Sequence, residues 1–273
     1  MLDATVGGGG HADEILKRII PGGKLIAVDK DPEAIERTRR LFEGLSEFIT
    51  FINRDFRDIT EIIASLGIDG IDGALFDLGM SSFQVDEEGR GFSFLKDGPL
   101  DMRFDPRGGT SARNVVNGAH QEELAGIIRS YGEERHALLI ARAICAARRD
   151  KRIDTTAELA EIIRKAVGGR YRGQRLHPAA RTFQALRIHV NDELGALKEA
   201  LEGTVKYLRP GGRICVISFH SLEDRIAKNF FRDAAKQGGI DIITKRVLRP
   251  TREEVRENPR ARSAKLRVAE KKA

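Results

Sequence analysis

Cysteine is scarce in this 273-residue chain, occurring only at Cys145 and Cys215, far apart and each within an apolar stretch. That excludes a disulfide framework and a cysteine-built zinc site, and it fits a reducing compartment. Paired histidines are missing too: the six histidines show no H-x-x-x-H or equivalent spacing, so no catalytic metal is expected. No apolar run approaches the roughly 18 residues needed to span a bilayer. The N-terminus carries Asp3 and a glycine run where a secretory leader would carry basic and then apolar residues. A soluble, cytoplasmic protein is the expectation. The hydrolase elbow G-x-S-x-G is absent as well, because Ser221 is flanked two residues away by Phe219 and Glu223.

Charge, by contrast, is plentiful. Lysine and arginine total 47 against 41 aspartates and glutamates, a formal net charge of +6 that favours a polyanionic partner. Mixed charge of this kind is equally compatible with an ordinary solvated surface. The length suits two domains of ordinary size.

The order of elements separates them. Met1 to Thr5 reads as a strand, Gly7 to Gly10 as a glycine turn, and Ala12 to Ile20 as an amphipathic helix closed by Pro21-Gly22-Gly23. Lys24 to Asp29 is a second strand, and Asp31-Pro32 opens a helix with Ala34, Ile35, Thr38 and Leu41 on one face. Phe48 to Ile52 and Gly73 to Leu78 are further buried strands around a helical pattern at Ile59 to Leu66. This alternation predicts a parallel sheet with helices on both faces, an α/β fold. From about 105 to 190 the pattern turns helical, with Gln121 to Ser130, Glu133 to Arg149 and Thr156 to Val167. Strand and helix then alternate again: Asp192 to Leu208 is a helix, Arg213 to Phe219 an apolar strand, and Asp241 to Lys245 and Lys265 to Ala269 are candidate last strands. The α/β part is therefore expected to be discontinuous.

Several constellations could carry chemistry. The glycine run lets backbone approach a ligand and aims N–H groups at it from a helix start. Asp29, at the end of the next strand, is placed to accept hydrogen bonds from ribose hydroxyls. Because Ala12 replaces the last glycine of a strict G-x-G-x-x-G, three readings stay open: S-adenosylmethionine, a nicotinamide dinucleotide, or a plain tight turn. Asp77 ends the fourth strand, at the sheet edge where ligands bind. It could accept a hydrogen bond from a poorly nucleophilic amine, or simply cap the next turn. Phe92 and Phe94 could stack on a flipped base or pack their own loop.

Two basic stretches stand out. The first holds Arg164, Lys165, Arg170, Arg172, Arg175, Arg181 and Arg187, with Tyr171 and Phe183 interleaved. It could neutralise phosphates and stack bases, or be a solvated helix face. The second, Arg256 to Arg267, reads equally as a charged turn. Ser221 is a candidate N-cap for the helix that follows His220, with Asp224 at its third position.

Taken together, DATVGGGGH (3–11), DLGMSS (77–82), GFSF (91–94), DGPLDMR (97–103), YGEER (131–135), HPAARTFQALR (177–187), SFHSLEDR (218–225) and NPRARS (258–263) resemble the 16S rRNA (cytosine N4)-methyltransferase family over essentially the whole chain. The resemblance implies a class I S-adenosylmethionine-dependent methyltransferase core, Rossmann-like, over residues 1–104 and 191–273. It also implies an inserted all-helical domain over 105–190 that recognises RNA. The reaction implied is methylation of the exocyclic N4 of a cytosine in the decoding region of 16S ribosomal RNA, within the small ribosomal subunit. On matching positions the cofactor site comprises Gly9, Gly10, His11, Asp29, Phe56, Asp77 and Gln84, with Asp77 also the catalytic residue. Asp29 suits ribose and Phe56 suits the adenine on chemical grounds, whereas His11 and Gln84 rest on resemblance alone.

Three departures from the family pattern stand out. Family members usually carry some tens of residues before the glycine motif, whereas this chain starts inside the first strand, so part of the core is expected to be missing. Phe83 replaces a usual proline. The loop after Asp77 lacks the Pro-Pro-aromatic signature of many amino-group methyltransferases. A nicotinamide oxidoreductase of the same fold class and a non-catalytic RNA-binding factor are the rival readings.

Overall fold

A computed structural model describes residues 1–171 and 176–273. The elements in chain order are β1 (Leu2–Asp3), α1 (Gly10–Ile19), β2 (Leu25–Asp29), α2 (Pro32–Leu41), β3 (Ile49–Asn53), α3 (Ile59–Ser65) and β4 (Ile71–Asp77). A helical run follows: α4 (Ser82–Asp86), α5 (Ala112–Gly118), α6 (Gln121–Gly132), α7 (Ala137–Asp150), α8 (Thr156–Val167), α9 (Ala180–Asn191) and α10 (Glu193–Tyr207). The chain ends with β5 (Leu208–Ser218), α11 (Ser221–Lys236), β6 (Ile240–Ile242), α12 (Arg252–Glu257) and β7 (Lys265–Lys271). Among the described residues no helix is long and apolar enough to cross a membrane.

The chain forms two compact units, Met1–Gly79 with Leu194–Ala273, and Met80–Glu193. The first holds a seven-stranded sheet in the order β3-β2-β1-β4-β5-β7-β6. Strands β1 to β5 run parallel, as alternation with helices predicts, but β7 is antiparallel to both β5 and β6. The difference arises because β7 returns directly beside β6, inserted between it and β5, and strands that are consecutive in the chain and adjacent in the sheet pair antiparallel without crossing the sheet face. Both faces are covered: in β2, Leu25 and Ala27 join Leu16, Ile35 and Phe42 on one side, while Ile26 and Val28 join Ile59, Ile63 and Leu201 on the other. Strand order reverses between β1 and β4, so the carboxyl ends of β1, β2 and β4 frame a crevice of the kind that receives ligands in open α/β sheets.

The second unit packs α5 to α9 around Leu124, Ile128, Ile140, Ile144 and Ile163. Phe92, Leu100 and Met102 belong to that same core. The segment 80–104, grouped with the α/β core on the sequence pattern, is therefore compact with the helices, because it supplies apolar side chains to them. Asn191 fastens it there: its Nδ2 donates to the Met102 carbonyl at 2.7 Å, and its Oδ1 accepts from the Phe104 amide at 2.8 Å.

Candidate functional site

The crevice is built from the glycine turn outward. The Val6 amide donates to the Val28 carbonyl at 2.9 Å, holding the segment beyond β1 beside β2. The chain then turns through Gly7 (φ 51°) and Gly9 (φ 84°), conformations that L side chains rarely adopt. Asp29, at the end of β2, accepts from the Gly7 amide through Oδ2 at 2.8 Å and from the Asp31 amide through Oδ1 at 2.9 Å. From α2, the Thr38 hydroxyl lies 3.1 Å from the Gly7 carbonyl. The turn is thus held from two sides, which fixes how it meets the start of α1.

The glycines of this turn do different work. A Cβ on Gly9 would lie 2.9 Å from Thr38 Cγ2 and 3.1 Å from Phe42 Cε2, so Gly9 lets the turn seat against α2. A Cβ on Gly10 would meet nothing within 4 Å and would project into open space at the helix start. Gly9→Ala is therefore expected to destabilise the fold by about 1 kcal/mol or more. Gly10→Ala should leave the melting temperature nearly unchanged yet weaken cofactor binding about tenfold by occupying that space. Thermal melting and calorimetric titration of both variants separate the two roles.

Four carboxylates gather near the strand ends. Asp3, fully buried, accepts from the Thr5 amide through Oδ1 at 3.1 Å, while its Oδ2 is buried with no partner among the described residues. Burial pushes its carboxyl up to about 7, against the Thr5 amide and with help from the Asp29 and Asp77 charges. Asp29 is raised to about 6, again chiefly by burial, with the Asp31 and Gly7 amides opposing. Its residue surface is only partly covered, but its carboxylate is turned inward onto those two amides.

Asp77, the end of β4, has its backbone amide on the Thr5 hydroxyl at 2.7 Å, and its Oδ2 lies 3.5 Å from Nδ1 of His11. Its Oδ1 is buried without a partner among the described residues. Burial raises the Asp77 carboxyl, the His11 imidazole opposes the rise, and the negative charge of Glu223 adds to it. Glu223 is the fourth carboxylate; its Oε2 accepts from the Phe219 and His220 amides at 2.8 and 3.2 Å.

The structure brings Gly9, Gly10, His11, Asp29 and Asp77 together at this edge of the sheet. Phe56 follows β3, partly buried, with its ring edge-on to Phe76 at 5.9 Å. Gln84 lies in the helical unit, in α4, where its Oε1 accepts from the Ser81 amide at 2.9 Å and closes a capping box.

The structure changes some of the sequence expectations and decides between others. The N-cap of α11 is His220, not Ser221: its Nδ1 accepts from the Glu223 amide at 3.3 Å, so Glu223 rather than Asp224 occupies the third position. Asp224 instead pairs with Arg267 of β7 at 2.7 Å. In the basic stretch, Arg187 is buried in a two-pronged ion pair with Glu193 at 2.7 and 2.8 Å, and Phe183 and Tyr171 are buried as well, so none of the three faces solvent. Arg164, Lys165 and Arg170 are exposed; Arg172 and Arg175 lie outside the described residues. Phe92 and Phe94 take the packing role, Phe92 stacking on Phe104 at 5.5 Å and Phe94 on His177 at 4.7 Å. Asp3 and Thr5 were not singled out as site residues. The available signal was an acid and a hydroxyl inside a strand that must be buried on both faces.

An open sheet of this order with β7 reversed, a glycine turn after β1, and acids ending β2 and β4 defines the class I S-adenosylmethionine-dependent methyltransferase fold. Within that class the chain belongs to the MraW methylase family, whose model matches residues 1–272. It is 48% identical over 282 residues to ribosomal RNA small subunit methyltransferase H of Syntrophotalea carbinolica, covering 98% of this chain and 90% of that protein. The protein of the same name from Heliobacterium modesticaldum is 47% identical over 286 residues, covering 99% and 91%. Among solved structures, an rRNA methylase from Streptococcus thermophilus aligns with a TM-score of 0.46 at 12% identity, over 100% of this chain and 86% of that one.

The residues present fit the cofactor of this class. S-adenosylmethionine carries a sulfonium and an ammonium, and the crevice offers buried carboxylates with two oxygens lacking partners, Asp3 Oδ2 and Asp77 Oδ1. A buried charge left uncompensated is costly, and a cationic ligand supplies the compensation.

Proposed function

We propose that this protein methylates the exocyclic N4 of a cytosine in the decoding region of 16S ribosomal RNA, within the small ribosomal subunit and in the cytoplasm. The observation that carries this reading is the partly exposed carboxylate of Asp77 at the end of β4, in a member of a methylase family. The glycine turn favours a nucleoside cofactor: the backbone of Gly9, Gly10 and His11 borders it, Asp29 takes the ribose hydroxyls on its remaining lone pairs, Phe56 flanks the adenine, and Gln84 completes the set. When bound, S-adenosylmethionine supplies an electrophilic methyl carbon on a sulfonium.

The cytosine amine is a weak nucleophile because its lone pair is delocalised into the ring. Asp77 accepts a hydrogen bond from one N4 proton, which orients the amine and raises electron density on nitrogen. On transfer the cofactor would retain the C–S electron pair as the C–N bond forms, and one N4 proton would leave to a base. The helical insertion serves as the RNA-facing part, with exposed Arg164, Lys165 and Arg170 contacting phosphates.

The test is incubation of the purified protein with methyl-labelled S-adenosylmethionine and small subunits from cells lacking this modification, followed by nucleoside mapping. N4-methylcytidine at one site is expected. Label on another nucleoside, or none despite measurable cofactor binding, overturns the substrate.

A further inference from the structure

His11 is assigned to the cofactor by resemblance, and its side chain faces Asp77. It is the second residue of α1, and its Nδ1 faces Oδ2 of Asp77 across 3.5 Å. The other Asp77 oxygen is the buried one with no partner. The carboxylate is therefore divided: one oxygen faces a half-exposed imidazole, and the other is turned into the protein with its hydrogen-bonding capacity unused. The Asp77 amide is fixed on Thr5 at 2.7 Å, so the carboxylate starts from a fixed backbone.

The charged groups around Asp77 pull in opposite directions. Glu223 from α11 disfavours its ionisation, and the Asp77 charge in turn raises the Asp3 carboxyl. His11, from α1, is the group that favours ionisation. A carboxyl that must accept a hydrogen bond from an amine is useful only when ionised, and here burial and the Glu223 charge act against that state. The 3.5 Å gap is slightly longer than a hydrogen bond, and the imidazole side chain is about half exposed (48%), so a small rotation closes it when the site fills.

We propose that His11 is a positioning residue for the methyl transfer reaction: its imidazole engages Oδ2 of Asp77 and so holds the carboxylate ionised and oriented for the cytosine amine. This rests on the cytosine reading above. The backbone of His11 remains at the cofactor turn while its side chain serves the base. No group is consumed: the N4 proton released on methylation passes to Asp77 or solvent, and the imidazole returns to its starting state.

Two variants test it. In His11→Gln the acid limb of the kcat profile should move to higher pH, with the rate down about tenfold at pH 6.5 and within about twofold of wild type at pH 8.5, because alkali restores the ionised carboxylate. In His11→Ala, added imidazole should restore much of the lost rate at pH 6.5, through the opening that the half-exposed side chain leaves. A readout without cofactor or RNA is the carbon-13 titration of the Asp77 carboxyl, which should shift upward in His11→Gln. A rate loss equal at every pH, accompanied by weaker cofactor binding in calorimetry, would make His11 a cofactor contact and overturn the proposal, as would an unchanged profile. If wild-type protein methylates no cytosine, the functional reading fails instead, and the carboxyl titration still decides whether His11 acts on Asp77.

Discussion

Replacing Asp77 with asparagine is expected to lower the single-turnover methylation rate on the order of a thousandfold while changing cofactor and RNA affinity little. The amide is nearly isosteric, so the Thr5 contact to the residue 77 backbone at 2.7 Å and the strand register opposite Ile217 are retained. What is lost is the capacity of the residue 77 side chain to accept from the amine as an anion. Because an amide presents either a weaker carbonyl acceptor or an NH2 donor to that spot, the amine is no longer oriented for attack. Rapid-quench assays at saturating cofactor give the rate, and equilibrium dialysis gives the affinities. A variant that turns over at the wild-type rate would remove Asp77 from the chemistry. One that loses cofactor binding in step with rate would make it a cofactor ligand only.

Cofactor affinity should fall on the order of a hundredfold between pH 7.5 and pH 5, because Asp3 titrates at about 7 and Asp29 at about 6 in the ligand-free protein. The sign follows from charge. A cationic ligand favours the ionised carboxylates, so binding is strongest above about 7 and is lost as protons bind through 7 and then 6. Stability of the ligand-free fold runs the other way. An acid whose folded pKa exceeds its unfolded value of about 3.9 holds its proton more tightly when folded, so its contribution is full below about 4 and disappears as pH rises through about 7. Melting curves across pH with and without S-adenosylmethionine should therefore diverge: the thermal shift produced by the cofactor grows as pH rises. In Asp3→Asn the divergence should shrink, leaving the part due to Asp29. Parallel curves would sink the idea that these buried acids lie within electrostatic reach of the cofactor.

Much of the α/β unit was legible because its signals are local. Gly7 to Gly10 needs positive φ, Asp31-Pro32 is a helix start with the Asp31 side chain accepting from the Glu33 amide at 3.0 Å, and β2 is an unbroken apolar run. Asp29 and Asp77 followed from the same logic, since each closes a strand at the carboxyl edge. What the sequence concealed is set by contacts distant along the chain. The reversal of β7 depends on where it enters the sheet. Arg187 looks like one more surface cation until Glu193 is found beside it, and Phe92 looks mobile until Phe104 stacks on it. Asp3 was hidden for a related reason: an acid in a short strand at the chain start gives no sign of how deeply it sits, whereas pairing of β1 with both β2 and β4 buries it completely.

The pairing of β4 with β5 carries a consequence for how the molecule is made. Asp77 lies opposite Ile217, and residues 80–193 are synthesised between them. On the ribosome, β4 emerges and remains an unzipped edge, its outward N–H and C=O groups unmatched, until the whole helical insertion and α10 have followed. Such a non-local closure slows folding, since the loop entropy must be overcome before any contact rewards it. The growing chain thus passes through a stage in which an apolar, half-finished sheet is on offer to any passing strand, and the helical segment, rich in local contacts, is placed to fold first within that interval.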